Sequence, residues 1–191
     1  MLYRLLLIAC LTLSFRANAQ APKDTIYDPN KEVVVNGNRF KVYNNWLNGG
    51  AGYAEDFTNG LDLFWLGLDY NFHIKKDYFQ LGAFASGRDF GDYYNYNFHL
   101  GYVKRWESIK WNFCGFGGAA YNTGFPLDSG RFDLTTQYKE FGLYAGGQAI
   151  FKLKYDIGLG ISGLANWNPY AFSLGARIDI YFSGAFKGKK K

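Results

Sequence analysis

Histidine is the side chain most often used for acid–base chemistry near neutral pH, and this sequence contains only two, His73 and His99. Both fall on the polar side of segments in which apolar and polar residues alternate. Neither stands in the close histidine–acid spacing of a metal site. We therefore predict no metal and no cofactor, and we interpret both histidines as members of a polar side-chain network.

Two other features with chemical potential have simpler explanations. Cys114 lies within an apolar segment with no adjacent base, which is typical of a small buried residue rather than a nucleophile. The glycine-rich segments 115–118 and 142–147 fall in predicted strands and precede no helix, so they are not phosphate-binding loops. In a curved sheet, such glycines relieve crowding.

The N-terminus has the organisation of an export signal. A short basic start ending at Arg4 precedes an apolar run from Leu5 to Phe15, which is too short to span a bilayer as a helix. Ala17-Asn18-Ala19 then provides small residues for signal peptidase, and we predict cleavage after Ala19. In the alternative, Leu7-Ile8-Ala9-Cys10 serves as a lipoprotein box and Cys10 carries a lipid.

The remaining sequence divides into three parts. We predict a polar leader and short hairpin over residues 20–44, a β-barrel over 45–182 and a solvated basic tail over 183–191. Asn36-Gly37 is the hairpin signal, because both residues tolerate positive φ. The formal charge of +5 is too small to indicate a nucleic-acid partner.

Period-two alternation predicts the strands of the barrel. The clearest case is residues 61–74, where Phe64, Leu66 and Leu68 share one face and Asp69, Asn71 and His73 the other. Short charged turns, predicted at residues 75–77, 107–108 and 152–154, alternate with longer connections at 56–60, 89–93, 122–137 and 166–170 that are rich in glycine, asparagine, proline and aspartate. This alternation is a feature of up-and-down membrane barrels. We predict eight strands, at residues 45–54, 61–74, 79–88, 94–103, 111–118, 140–149, 155–162 and 172–182.

The two faces of these strands predict a membrane location. One face is apolar with almost no charge over the strand middles, and a single Lys or Arg there would cost about 2–4 kcal/mol at mid-bilayer. Isolated charges on the other face would point into the lumen and pair with one another. The predicted lumen network consists of Asp69, His73, Arg88, His99, Glu140, Arg177 and Asp179. Because eight strands enclose an interior just filled by side chains, we also predict no open pore.

The last strand alternates into Tyr181-Phe182, which is similar to the aromatic-ended assembly signal of small outer-membrane β-barrel proteins of Gram-negative bacteria. Residues 45–182 resemble this class, which includes the OmpA-type transmembrane domain and the OmpX family. The resemblance implies an all-β, up-and-down, antiparallel eight-stranded transmembrane β-barrel, located in the outer membrane and surrounded by its lipid. Members of the class often end at that aromatic residue, whereas residues 183–191 follow it in this chain.

For function, the sequence favours a non-enzymatic barrel with a structural or interaction role, as an accessory part of an envelope complex. Phe125, Arg131 and Phe132 in the longest predicted loop, residues 122–137, are the candidate contacts for an envelope protein partner. Two alternatives stay open. One is a lipid-modifying enzyme similar to the eight-stranded lipid A deacylases, although no His-x-Ser pair lies on a lipid-facing strand. The other is a soluble periplasmic barrel that binds a small apolar ligand.

Overall fold

The computed structural model describes residues 28–88, 93–125, 127–128, 131–132 and 137–189. The predicted signal peptide and residues 20–27 of the leader lie outside these ranges. Among the described residues, all regular structure is β-strand. The strands are β1 (Glu32–Val35), β2 (Asn38–Lys41), β3 (Trp46–Asp56), β4 (Leu61–Ile74), β5 (Asp77–Gly87), β6 (Tyr93–Glu107), β7 (Trp111–Gly124), β8 (Leu127–Asp128), β9 (Arg131–Phe132), β10 (Tyr138–Lys154), β11 (Ile157–Asn168), β12 (Ala171–Ser183) and β13 (Phe186–Lys189).

Eight of these strands form a closed antiparallel barrel in the order β3-β4-β5-β6-β7-β10-β11-β12. The barrel closes where the last strand pairs with the first, from Ser183 opposite Trp46 to Ser173 opposite Asp56. Every barrel strand therefore has two hydrogen-bonded neighbours, which a sheet needs in order to cross a lipid bilayer. The eight-stranded up-and-down barrel predicted from the sequence is confirmed. In the described part of the chain, no helix has the length and apolar character to cross a membrane.

Alternation along each barrel strand separates two chemically different faces. Leu68 is 55% exposed on the outer face, whereas its neighbour Asp69 is 5% exposed inside the barrel. The same contrast holds on β12, where Ile178 is 69% exposed and Asp179 is fully buried. Large exposed apolar residues thus surround the barrel, while most of its buried polar residues lie in the lumen. This is the arrangement of a transmembrane barrel.

Several strands are longer than their patterns predicted. β10 continues to Lys154, so residues 150–154, which include the whole of the turn predicted at 152–154, belong to the barrel wall. The predicted outer connection at residues 166–170 is also mostly strand, because β11 runs to Asn168 and β12 begins at Ala171. The Asn168 side-chain oxygen accepts hydrogen bonds from the backbone N–H groups of Tyr170 and Ala171, at 2.9 and 3.1 Å. These bonds close a tight turn in place of a loop.

A separate three-stranded sheet, in the order β1-β2-β13, lies at the end of the barrel where the chain enters and leaves. The predicted hairpin forms its first two strands, and Asn36 and Gly37 adopt φ values of 50° and 75° in the turn. The C-terminal residues differ from the predicted solvated tail, because Phe186–Lys189 pair with β2. Lys187 donates a hydrogen bond of 2.7 Å to Glu32, and this bond holds the pKa of the Glu32 carboxyl below its ordinary value.

This small sheet packs on the barrel through an apolar cluster. Phe40 of β2 meets Tyr155 of the β10–β11 turn with ring centroids 4.7 Å apart, and Ala185 completes the buried cluster. Backbone hydrogen bonds from Ser183 to Asp156 and from Gly184 to Asn45 fix the connection to β12. We call this sheet the cap sheet. The end of the barrel that carries the cap sheet and the short turns, which we call the short-turn end, therefore differs in structure from the opposite end, which we call the outer end.

Candidate functional site

The densest group of buried charges lies inside the barrel and contains four of the seven predicted network residues. Arg177 donates from Nε to Asp179 at 2.6 Å and from its terminal nitrogen to Asp69. His99 Nε2 lies 2.8 Å from Asp69 Oδ1. All four side chains are at most 7% exposed. A buried charge is tolerated only when it is paired and hydrogen-bonded, and this geometry meets that condition for both carboxylates.

Amide and hydroxyl side chains extend this group across the lumen. Asn48 donates to Asp69 at 3.0 Å, and Gln148 donates to Asp179 at 3.0 Å. Further hydrogen bonds reach Asn71, Gln80, Asn97, Asn122, Ser162 and Asn166. Together these residues come from all eight barrel strands. We call the whole set the central network. It links strands that are not neighbours in the sheet, and so it holds the barrel wall together from within.

Two glycines make room for the central network. A Cβ atom on Gly82 would overlap Asp69 Oδ1 and His99 Nε2, and one on Gly67 would overlap the guanidinium of Arg177. Both glycines point into the lumen at the level of these charges. The sequence pattern of glycine on the polar face is therefore a packing requirement of the network rather than a sign of flexibility.

A second buried charged group lies nearer the short-turn end. Glu107 accepts from Arg105 at 2.8 Å and also from Lys152, and the Arg105 and Lys152 side chains are 2% and 0% exposed. Aromatic faces complete the environment, because Arg105 lies 4.4 Å from the Trp46 ring centroid and Lys152 lies 3.9 Å from that of Tyr155. We call this group the lower cluster.

Sequence reasoning missed the lower cluster because Glu107 and Lys152 were assigned to turns and Arg105 to no strand. Glu107 and Lys152 stand at the edges of apolar runs, where charges usually mark a connection. The period-two pattern did contain the signal. Arg105 and Glu107 have the same parity as Asn97 and His99 on β6, so the polar face simply continues to the end of the strand. On β10, Lys152 likewise continues the inward face of Gln148.

Three predicted network residues lie outside the central network. His73 sits at the short-turn rim, half-buried, with Nδ1 3.1 Å from the Lys75 carbonyl oxygen and ring contacts to Tyr43 and Tyr78. Arg88 follows the end of β5 and is exposed. Glu140 points inward near the outer end of β10 and is partly exposed. Each belongs to a strand end, where the lumen opens to solvent and a charge needs no buried partner.

The predicted loop contacts lie at the outer end. Phe125 directly follows β7 and is partly exposed, and the backbone of Arg131 and Phe132 forms β9, which pairs with β8 in a two-stranded hairpin. The three residues therefore belong to the one connection between β7 and β10.

The histidine geometry does not resemble a nucleophile–base pair. His99 uses one ring nitrogen on Asp69 and the other on Asn97, at 2.8 Å each, and its side chain is 2% exposed. Cys114 is also buried, with its Sγ 3.6 Å from Asn112 Oδ1. Within the described ranges, no three His, Cys, Asp or Glu residues are grouped so that they could hold a metal ion.

Side chains fill the interior between and beyond the charged groups. Trp65, Phe84 and Tyr144 pack as a buried apolar layer, and Trp46, Tyr78 and Tyr181 form another beside the lower cluster. The cavities that remain are small, and one of them borders Trp65, Asp69, Gln80 and His99. The polar side chains of the central network bond chiefly to one another, although Gln80 Oε1 and Asn122 Nδ2 are buried without a hydrogen-bond partner among the described residues.

Comparison with known proteins identifies the fold. No protein-family model and no curated protein matches the sequence. The structure is similar to the N-terminal β-barrel domain of Pseudomonas aeruginosa OprF, with a TM-score of 0.53, 11% identity and coverage of 74% of this chain and 98% of that one. For Neisserial surface protein A the TM-score is 0.59 at 10% identity, with 72% and 96% covered. For Ail, the attachment invasion locus protein of Yersinia pestis, it is 0.50 at 13% identity, with 75% and 97% covered.

These neighbours are outer-membrane β-barrel proteins, and this chain has their fold. The outer-membrane location predicted from the sequence agrees with that fold and with the apolar outer face. At these identities the likeness concerns the fold alone, so a specific role has to be argued from this chain's own residues.

Proposed function

We propose that this outer-membrane β-barrel is a non-conducting scaffold with a structural or interaction role, which presents its outer connections to an envelope partner. The observation that carries the proposal is the central network. A lumen cross-linked by side chains from all eight strands is suited to rigidity rather than to passage of solutes.

The chemistry of the lumen supports a non-enzymatic role. The buried Asp69–His99 pair lacks the exposure that a substrate would require, and both ring nitrogens of His99 are engaged. The outer face supports a membrane barrel over a soluble one, since residues such as Phe141 and Ile161 are 76% and 63% exposed. A contiguous apolar surface of this kind would be costly in water.

The interaction role is assigned to the connection between β7 and β10, the longest in the barrel. Loops that extend from a rigid scaffold are the usual sites of recognition. Phe125 begins this connection, and Arg131 and Phe132 lie in its terminal hairpin. By contrast, the connection between β11 and β12 is short, because two residues, Pro169 and Tyr170, make the entire turn.

Site-specific photo-crosslinking in intact cells tests this proposal. A photoreactive residue at position 125 should give a discrete adduct of reproducible mass. The same residue at position 170, on the short outer turn, is the matched control and should give none. If neither position gives an adduct, or both give the same one, the connection between β7 and β10 is not a recognition site.

A further inference from the structure

We propose that the short-turn end of the barrel carries a binding surface for the phosphate head groups of anionic phospholipids. The surface consists of five exposed lysines, which we call the lysine arc: Lys75, Lys76, Lys104, Lys110 and Lys154. The inference rests on the membrane location of the barrel but not on the role proposed for the connection between β7 and β10. This inference and the proposed function can therefore fail independently.

The lysines of the arc are neighbours because of the strand order. Lys75 and Lys76 form the β4–β5 turn, Lys110 lies in the β6–β7 turn, and Lys154 ends β10 at the β10–β11 turn. Since β5 pairs with β6 and β7 with β10, these three turns follow one another around the rim. The arc therefore covers six consecutive strands. The remaining sector, at β12 and β3, connects to the cap sheet.

The arc differs from four other cations of the short-turn end, each of which has an acidic partner. Arg105 and Lys152 share Glu107 inside the barrel, and Arg39 and Lys187 share Glu32 on the cap sheet. Within the part of the chain that the structure describes, the five arc lysines form no ion pair, and all are exposed. Each is free to meet an external anion.

The backbone of Lys75 provides a second, independent observation. Its φ is 56°, a left-handed conformation that a lysine rarely adopts. The hairpin of the cap sheet has Asn36 at its positive-φ position, a residue type that tolerates this conformation. The β4–β5 turn has a lysine where asparagine would fold more readily. An unfavourable backbone conformation at Lys75 indicates a role for its side chain.

Aromatic side chains place the arc at the level of lipid head groups. Aromatic rings lie on the outward face of the barrel, next to the arc on the side towards the middle of the strands. The ring centroid of Phe79 is 5.8 Å from that of Phe72 and 5.9 Å from that of Tyr102, and the centroids of Trp111 and Phe151 are 5.1 Å apart. Such rings prefer the boundary between hydrocarbon and head groups. Lys104 faces lipid between Tyr102 and Trp106, and its long side chain can extend to the polar boundary.

The position of the arc favours a lipid over a soluble acidic partner. Its lysines lie directly beside the aromatic belt, rather than on a surface that projects from the membrane. The exposed charges at the other end of the barrel are mixed in sign, since Glu55 and Asp62 stand opposite each other while Arg88 and Lys139 are also exposed. The arc lysines are thus the better match for an anionic head group.

Electron spin resonance of spin-labelled lipids in vesicles tests the proposal. The refolded protein is placed in phosphatidylcholine vesicles containing spin-labelled phosphatidylglycerol or phosphatidylcholine. We expect the protein to select phosphatidylglycerol by about fivefold at low salt, because each lysine near the surface contributes to such attraction. The preference should fall towards unity in about 0.5 M salt, where exposed charges are screened.

Two variants identify the residues responsible. K75N/K76Q/K110Q/K154Q should lose the preference, and its Lys75→Asn change is compatible with the positive φ at that position. K110Q/K154Q, which leaves the β4–β5 turn intact, should lose part of it. The matched control R88Q/K139Q removes two exposed cations at the outer end and should keep the full preference. Heat-modifiable gel migration confirms that each variant is folded.

Equal association of both lipids with the unaltered protein would overturn the proposal, as would a preference that survives in the fourfold variant. Binding of soluble polyglutamate to the arc without any lipid preference would also overturn it, and would assign the surface to an acidic polymer instead.

Discussion

The central network and the lower cluster are two buried charged groups in one narrow barrel, and they stabilise their charges by different means. In the central network, Asp69 and Asp179 share Arg177, and amide side chains occupy the remaining lone pairs. In the lower cluster, Arg105 and Lys152 share Glu107, and aromatic rings cover the two cations.

The difference follows from where each group lies along the barrel axis. At the middle of the barrel the charges are buried, and amide side chains from seven of the eight strands reach one another or the carboxylates. Near the cap sheet, large rings such as Trp46 and Tyr155 close the mouth and also face the cations. The central network should therefore depend on the pairing of its charges, whereas the lower cluster should tolerate the loss of one member.

The largest expected effect is that of Arg177→Ala. It leaves Asp69 and Asp179 buried with their shared cation removed, and breaking a buried ion pair in this way costs about 3–5 kcal/mol. Urea unfolding of the protein in lipid vesicles, followed by tryptophan fluorescence, measures the loss. The triple variant D69N/R177M/D179N is the control, because removing all the charges together should cost less than removing one. A triple variant less stable than the single one would contradict the pairing account.

Glu107→Gln should destabilise the barrel by less, about 3 kcal/mol or under. Arg105 keeps its hydrogen bond to Asn112 at 3.1 Å and its contact with the Trp46 ring, so the remaining cations retain part of their environment. The same urea titration provides the measurement. A loss equal to or greater than that of Arg177→Ala would remove the distinction between the two groups.

Gly82→Ala tests the packing of the central network without changing any charge. The added methyl would overlap Asp69 Oδ1 and His99 Nε2, so the side chains must shift, at a cost of about 1–3 kcal/mol. Gly163→Ala is the matched control, since a Cβ there has only one atom at the edge of contact, 4.0 Å away. Equal unfolding midpoints for the two variants would show that the network is loosely packed.

The smallest effect on the barrel is expected from Glu32→Gln on the cap sheet. The substitution removes the carboxylate that Lys187 and Arg39 share, so β13 should become more accessible to protease while the unfolding midpoint of the barrel stays constant. Because the folded pKa of Glu32 is lowered, the unaltered protein should keep this contact at neutral pH and lose it as the pH falls through that lowered value. Limited proteolysis across an acidic pH series measures both effects. A cap sheet with the same protease resistance at every pH, or a lower midpoint for the barrel, would contradict the assignment.

The fold could be predicted from the sequence because the alternation of apolar and polar residues identifies both the outward and the inward face of each strand. Asp69, His99, Arg177 and Asp179 could likewise be placed in the lumen by parity. Their pairing depends on the registers that bring β4, β6 and β12 to one level, and a period-two pattern contains no information about register between strands.

The residues that sequence reasoning misplaced all lie near strand ends. Lys152 and Glu107 were taken as turn charges, and Arg88 was taken as a lumen residue, because the pattern does not mark where a strand stops. The pairing of β13 with β2 was also inaccessible, since Phe186–Lys189 is short, basic and separated from its partner by the whole barrel.

Single-channel recording of the refolded protein in planar lipid bilayers tests the central claim most directly. A lumen cross-linked from all eight strands and packed with Trp65, Tyr144 and Tyr181 predicts no steady conductance above that of the bare bilayer. A large and steady conductance from the unaltered protein would contradict the closed lumen, and with it the proposed role as a scaffold.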